Sequence, residues 1–199
     1  MTKMPIDEKT SWNKKYSEGS HHSLDPDPLL VSAYGEFLAT RSPGTALDVA
    51  GGVGRHSIWL AQRDWRVKLL DISEIGVELA KKNAVAALAP TGRETLVTTE
   101  VVDLNSGQGL GRQQYDLVLV FYYLQRELFP ALISALRPDG IFIYKTYTTE
   151  QKRFSGTGPT HPMFLLEPNE LPRAFSALRV LHYQETVAEK GVAELVAKK

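Results

Sequence analysis

The sequence of 199 residues contains no cysteine. This absence excludes disulfide bonds, cysteine-ligated zinc sites and a thiol nucleophile, and it predicts a protein of the reducing cytoplasm. Net charge is missing too, because 23 lysine and arginine residues balance 23 aspartate and glutamate residues. A surface that binds duplex nucleic acid normally carries an excess of positive charge, so we expect no nucleic-acid partner.

A hydrophobic run long enough to cross a bilayer is also lacking. The most apolar segment, YDLVLVFYYL, contains Asp116 and falls well short of the roughly 20 apolar residues that a spanning helix needs. The first residues are polar, without the apolar centre of a signal peptide. Metal-ligand spacings such as H-x-x-x-H are absent. We therefore expect a soluble domain with neither a membrane partner nor a bound metal.

From Thr45 onward, short apolar runs alternate with helical segments. Strands are predicted over TALDVA, WRVKLLDIS, ETLVTTEVVDL, YDLVLVFYY and IFIYKTYT, and helices over RHSIWLAQR, EIGVELAKKNAVAALA and LFPALISALRPDG. Repeated units of this kind predict an α/β fold with a doubly wound, mostly parallel sheet and helices on both faces. Two later β-like runs flank the turn Glu189-Lys190-Gly191, which predicts an antiparallel C-terminal hairpin. The expected sheet is seven-stranded and Rossmann-like.

A glycine-rich turn joins the first predicted strand to a helix that begins near Arg55. In the segment LDVAGGVGRHS, Gly52 and Gly54 permit positive φ and allow a ligand to approach the backbone. The free amides at the start of the following helix favour a negatively charged group. A tight turn without any ligand remains an alternative explanation of this pattern.

Two carboxylates raise the odds of a nucleotide-like ligand. Asp71 closes the second predicted strand, where it can accept hydrogen bonds from two ribose hydroxyls. Asp103 closes the third and could reach an adenine amino group, although both residues could also be ordinary strand-end carboxylates. The third glycine of a dinucleotide fingerprint is replaced by Ser57, and no Walker lysine follows the loop. These departures argue against an oxidoreductase and exclude a P-loop NTPase.

With these features in place, the chain resembles a class I S-adenosylmethionine-dependent methyltransferase from Trp12 to Lys199. LDVAGGVGRHS is similar to the first motif of that family, although Ala50 stands where many members have glycine. LLDIS is similar to the ribose-binding motif and VVDL to the adenine-side motif. The segments WNKKY, LLEPNEL and YQE resemble the tellurite-resistance and thiopurine-type branch, which acts on small molecules.

The resemblance implies S-adenosylmethionine as cofactor and S-adenosylhomocysteine as product. It implies these cofactor-binding residues: Trp12, Tyr16, Asp48, Gly51, Gly52, Gly54, Arg55, Asp71, Ile72, Asp103, Leu104 and Phe121. Asp48 could equally brace the loop, and Trp12 and Tyr16 could merely anchor the N-terminal segment. The chain is interpreted as one domain, with an N-terminal flap and helix (1–40), a cofactor-binding core (45–149), an acceptor lid (150–177) and the terminal hairpin (178–199).

The expected methyl acceptor is a small molecule. The residues after the fourth strand, FYYL, are not the Asn/Asp-Pro-Pro-aromatic run of enzymes that methylate exocyclic amines of nucleic-acid bases. A soft sulfur, selenium or tellurium nucleophile would need no general base, whereas a hydroxyl or amine would, with Tyr122, Tyr147 and His161 as candidates. The alternatives are a non-catalytic protein that binds S-adenosylmethionine or S-adenosylhomocysteine and, less favoured, an NAD(P)-binding oxidoreductase.

Overall fold

A computed structural model describes residues 7–106, 110–154 and 158–199 of the chain. The strands are β1 (Thr45–Val49), β2 (Arg66–Asp71), β3 (Val97–Val101), β4 (Tyr115–Phe121), β5 (Leu136–Tyr147), β6 (Arg179–Val187) and β7 (Gly191–Lys198). The α-helices are α1 (Glu8–Ser17), α2 (Pro28–Phe37), α3 (Arg55–Ala61), α4 (Glu74–Leu88), α5 (Phe129–Ala135) and α6 (Glu170–Ala174).

The strands form one seven-stranded sheet in the order β3-β2-β1-β4-β5-β7-β6. The pairs from β3 to β5 are parallel, whereas β7 runs antiparallel to both β5 and β6. The predicted fold class is therefore confirmed, including the terminal hairpin. Strand order reverses between β1 and β4, and ligands of open α/β sheets bind at such a reversal, beside the carboxyl ends of the strands.

Apolar side chains cover both faces of the sheet, as a parallel sheet requires. Along β4, Leu117 and Leu119 join the layer that contains Trp65, while Val118 and Val120 join the layer on the opposite face. Four aromatic rings pack together in this second layer: Phe129, Phe142, Tyr144 and Phe175. Within the described ranges, no helix is long and apolar enough to cross a membrane.

The segment LFPALISALRPDG, predicted as a helix stopped by Pro138 and Gly140, leaves the helical conformation earlier than expected. Helix α5 ends at Ala135, and β5 begins at the next residue. The pairing of β4 with β5 shifts in this segment, because Tyr115 pairs with Leu136 whereas Leu117 pairs with Ile141. Pro138 has no amide to donate to a regular ladder, so this irregular start of the strand accommodates it.

Strands β3 and β4 also end two residues earlier than predicted. Val101 rather than Asp103 is the last residue of β3, and Phe121 rather than Tyr123 is the last of β4. The backbone of Tyr122 turns into the left-handed region, with φ of 58°. The chain therefore changes direction sharply after β4, and Tyr122 and Tyr123 lie beyond the carboxyl end of this strand rather than within the sheet.

Candidate active site

The carboxyl ends of the central strands open onto a cavity of about 820 Å³, within the range of roughly 300–1,000 Å³ that is typical of small-molecule sites. Most of the site residues predicted from the sequence line this cavity: Trp12, Tyr16, Gly51, Gly52, Arg55, Asp71, Ile72, Asp103, Leu104, Phe121, Tyr122, Tyr147 and His161. The fold therefore gathers residues from both halves of the chain in one place. Asp48 and Gly54 do not line it.

The glycine loop has the backbone that its sequence predicts. Gly52 and Gly54 have φ of 56° and 88°, and a Cβ atom on Gly52 would lie 2.5 Å from the hydroxyl oxygen of Tyr16. Ala50, which stands where many similar proteins have glycine, also has a positive φ of 55°. The left-handed conformation costs an alanine about 1–2 kcal/mol. The rest of the fold therefore holds Ala50 in a conformation that its side chain disfavours.

Asp48 lies behind the loop. Its buried carboxylate accepts a hydrogen bond of 2.7 Å from the hydroxyl of Ser57, which is the residue at the third glycine position of a dinucleotide fingerprint. Burial raises the pKa of Asp48 to about 6. Since Asp48 does not reach the cavity, its position favours the bracing role over contact with a ligand.

The raised pKa of Asp48 predicts a pH-dependent cost in stability. The folded state binds the Asp48 proton more tightly than the unfolded state, so stability is lost as the pH rises from about 4 to 6. Asp48→Asn removes this titration. Denaturant unfolding gives the free energy of unfolding of the variant minus that of the wild type. We expect this difference to be about 2 kcal/mol more positive at pH 7 than at pH 4. A difference that is the same at both pH values would contradict the buried ionisation.

Asp71 presents a fixed carboxylate to the cavity. One oxygen accepts the Gly52 amide at 2.9 Å and the other accepts the Ser73 amide at 2.8 Å. The side chain is buried, and burial raises its pKa. An ionised carboxylate has about four lone-pair sites, so these two bonds orient Asp71 and leave acceptor capacity for hydroxyl groups of a ligand.

Asp103 and Leu104 follow β3 at the same edge of the sheet. Asp103 is exposed and accepts hydrogen bonds of 2.9 Å from both the amide and the side-chain nitrogen of Asn105, whereas Leu104 is buried. Glu8 of α1 also lines the cavity, and Asp103 contributes to raising its pKa, after burial. Carboxylates thus concentrate at this end of the cavity.

Helix α1 covers the glycine loop. The rings of Trp12 and Tyr16 stack with centroids 5.7 Å apart, as their spacing of four residues predicts. The side-chain oxygen of Asn13 accepts a hydrogen bond of 2.6 Å from the hydroxyl of Ser73, so the helix is attached beside Asp71. His21 is exposed but packs its ring edge-on against Trp12 and lines the cavity.

Aromatic side chains form the other end of the cavity. The rings of Tyr122 and Tyr147 lie 5.2 Å apart, and His161, Phe164 and Phe121 line the same cavity. His161 caps a short 3₁₀ turn, where its ring accepts the amide of Met163 at 3.3 Å. These five side chains form an aromatic wall, which is mostly apolar and carries the hydroxyl groups of the two tyrosines and the imidazole of His161.

His56 lies in the first turn of α3. It is also fully buried, where its ring nitrogen Nε2 accepts the Asp27 amide at 3.3 Å and the ring lies against Phe121. Burial lowers its pKa well below the usual range, and Arg55 and Lys145 act in the same direction. The ring is therefore neutral.

Sequence reasoning missed a buried ion cluster below the aromatic wall. Lys145 of β5 lies 2.9 Å from a carboxylate oxygen of Asp27 and 2.7 Å from one of Glu194. A lysine within the apolar run IFIYKTYT could have revealed it, because a lysine is almost never buried without a partner. Asp27 also accepts a long hydrogen bond of 3.3 Å from the Tyr122 hydroxyl.

Comparisons with known proteins agree with this geometry. Residues 46–140 match a family model described as a methyltransferase domain, and this segment contains the glycine loop, Asp71 and Asp103. Comparison with curated protein sequences finds no significant match.

Among similar solved structures, TehB from Haemophilus influenzae has 18% identity and a TM-score of 0.68, covering 94% of this chain and 67% of that one. The 1,6-didemethyltoxoflavin-N1-methyltransferase from Burkholderia thailandensis, solved with S-adenosylhomocysteine, has 17% identity and a TM-score of 0.67, with coverage of 96% and 86%. A structure described by the conversion of a disulfide bond into a thioacetal group during echinomycin biosynthesis has 17% identity and a TM-score of 0.73, with coverage of 96% and 92%.

At these identities the structural matches concern the fold, while the family match concerns the segment that builds the loop and the strand ends. Both comparisons point to methyltransferases. Residues 46–140 therefore resemble a methyltransferase domain, and the chain as a whole shares its fold with solved methyltransferases, one of them bound to S-adenosylhomocysteine.

Proposed function

We propose that the protein transfers the methyl group of S-adenosylmethionine to a small-molecule acceptor. The observation that carries this proposal is a single cavity with two chemically different ends. Asp71 and Asp103 lie at one end and the aromatic wall of Tyr122 and Tyr147 at the other. A nucleoside and an apolar or aromatic acceptor can thus occupy the same cavity side by side.

The residues at the first end fit the cofactor. The free acceptor sites of Asp71 suit the ribose hydroxyls, and Asp103 with the amide of Leu104 suits the adenine edge. Gly51 and Gly52 leave the loop backbone open to the ligand. The stacked rings of Trp12 and Tyr16 cover the loop, where they would shield the methionine part from water.

The remaining task of the chain is alignment. When bound, S-adenosylmethionine would supply a methyl group activated by its positively charged sulfur, so that the carbon–sulfur bond could break, its electron pair returning to sulfur, as the acceptor's lone pair bonds to the methyl carbon. Phe121, Tyr122 and Tyr147 would hold the acceptor in line and exclude water, which is where most of the rate gain arises. For a hydroxyl or amine acceptor, Tyr122, Tyr147 or His161 would take up the proton.

We propose further that the acceptor atom is soft: sulfur, selenium or tellurium. TehB and the structure associated with a disulfide-to-thioacetal conversion are similar to this chain in fold, and the sulfur chemistry of the latter supports this choice. A soft nucleophile is also consistent with an aromatic wall, because sulfur packs favourably against aromatic rings. The lack of cysteine supports a cytoplasmic location.

Calorimetric titration with S-adenosylhomocysteine, NAD⁺ and NADP⁺ tests the cofactor. We expect binding of S-adenosylhomocysteine alone, because the loop lacks the third glycine of a dinucleotide site. Binding of a dinucleotide instead would overturn the proposal. Incubation with S-adenosylmethionine and a panel of thiols then separates an enzyme, which forms methylated thiol, from a binding protein, which does not.

A further inference from the structure

We propose that the methyl acceptor carries an anionic group and that Lys190, on the turn between β6 and β7, binds this group. The inference rests on the proposed methyl transfer and adds to it the charge of the acceptor and the residue that recognises it. The shared chemistry is a carboxylate or an oxyanion next to, or part of, the nucleophilic centre.

The first observation is that three cationic side chains surround Tyr122. The ammonium of Lys190 lies 5.2 Å from the centroid of the Tyr122 ring, the guanidinium of Arg55 lies 5.9 Å from it, and the ammonium of Lys145 lies 6.0 Å from it. Lys190 also donates a hydrogen bond of 3.0 Å to the Tyr122 hydroxyl. Three elements, α3, β5 and the hairpin turn, thus bring positive charge to one side chain.

The second observation is that only one of these cations is neutralised. Lys145 is enclosed by Asp27 and Glu194. For Lys190 and Arg55, the part of the chain that the structure describes contains no carboxylate oxygen within 4.0 Å. Both are half-buried and line the cavity. A partly desolvated cation attracts an anion much more strongly than an exposed one does.

The third observation is the distribution of charge along the cavity. The carboxylates that line it are Glu8, Asp71 and Asp103, and these three belong to the end proposed for the nucleoside. Lys190 lies at the aromatic end, where no described carboxylate lines the cavity, while the other lining cations are Arg55, beside the glycine loop, and Lys15 of α1. An acceptor with a negative group would therefore be oriented by the field of the cavity itself, with that group toward Tyr122.

Lys190, rather than Arg55, is assigned to the acceptor because of where each residue originates. Arg55 directly follows the glycine loop, so it lies on the cofactor side of the cavity. Lys190 comes from the terminal hairpin and is held by the Tyr122 hydroxyl. That hydrogen bond fixes the ammonium at the aromatic wall, and because an ammonium has three donors, two further N–H groups have no acceptor among the residues that the structure describes.

The test measures binding to protein saturated with S-adenosylhomocysteine, by calorimetry. The probes are 4-mercaptobenzoate, the neutral 4-mercaptobenzyl alcohol, and selenite. We expect the carboxylate to bind about tenfold more tightly than the alcohol, and Lys190→Met to abolish this preference. Lys190→Arg should retain it, and so should Lys82→Met, an exposed lysine of α4. The dissociation constant of S-adenosylhomocysteine should stay within about threefold in all variants.

Each outcome has a separate meaning. Failure of the wild type to bind S-adenosylhomocysteine would overturn the proposed function. Normal binding of that ligand, together with equal affinity for the two thiols or no binding of either, would overturn only the anionic acceptor. A carboxylate preference that persists in Lys190→Met would remove Lys190 from its assigned role. Binding of selenite that depends on Lys190 would support an oxyanion as the source of the charge.

Discussion

Replacing Asp71 with alanine is expected to weaken S-adenosylhomocysteine binding by about 100- to 10,000-fold. The carboxylate can accept hydrogen bonds from two ribose hydroxyls, and a hydrogen bond to a charged group contributes about 1.5–3 kcal/mol. The loss has a second cause, because Asp71 also accepts the amides of Gly52 and Ser73. Without it, the glycine loop loses the bond that orients it toward the cavity.

Calorimetry of three variants separates these causes. Asp71→Asn keeps one acceptor oxygen and should bind with intermediate affinity. Glu100→Ala removes an exposed carboxylate from β3 that pairs with Lys68 on the surface, so it should bind like the wild type. If Asp71→Ala retains both its wild-type melting temperature and an affinity within threefold of wild type, the ribose assignment is wrong.

Replacing Lys145 with methionine is expected to lower the free energy of unfolding by about 3–5 kcal/mol. Lys145 is only 7% exposed and contacts two carboxylates, Asp27 and Glu194. Its removal leaves both acids without their counter-charge in a poorly solvated place. In a protein of this size, such a loss corresponds to a fall in melting temperature of roughly 6–20 °C.

Thermal unfolding of a compensated variant identifies the cause. Removing the two charges as well, in Lys145→Met with Asp27→Asn and Glu194→Gln, should recover much of the lost stability, because neutral buried groups need no counter-ion. A triple variant less stable than Lys145→Met alone would show that packing, not charge, explains the effect. The same cluster contacts the Tyr122 hydroxyl through Asp27, so it also positions the aromatic wall.

The sheet was predictable because its evidence is local and repeated. Strands β1, β2 and β4 are mostly apolar and buried, and β1 and β2 are followed by a glycine turn or a segment of helical period. The start of β5 was not predictable in the same way. RPDG has the residues that end a helix, but the register shift opposite Tyr115 is a property of the paired strand.

The residues proposed to bind the cofactor could likewise be selected from the sequence, because Gly51, Gly52, Asp71 and Asp103 follow predicted strand ends at short distances along the chain, and the structure places them around one cavity. The aromatic end could be predicted only in part. Tyr122, Tyr147 and His161 stand out as chemical types, yet their charged neighbours come from distant segments: Asp27 from the start of α2 and Lys190 from the hairpin turn. Such contacts depend on the tertiary fold, and no pattern within a single segment encodes them.

The insertion of β7 between β5 and β6 has a consequence for protein synthesis. Ribosomes release the chain in order, so the segment through β5 emerges with its long edge unpaired until residues 191–198 have followed. An apolar edge strand of this kind is a template for pairing with other chains. During synthesis, β5 is therefore an unpaired edge strand, although it lies inside the finished sheet. This edge is covered only when β7 of the hairpin pairs with it.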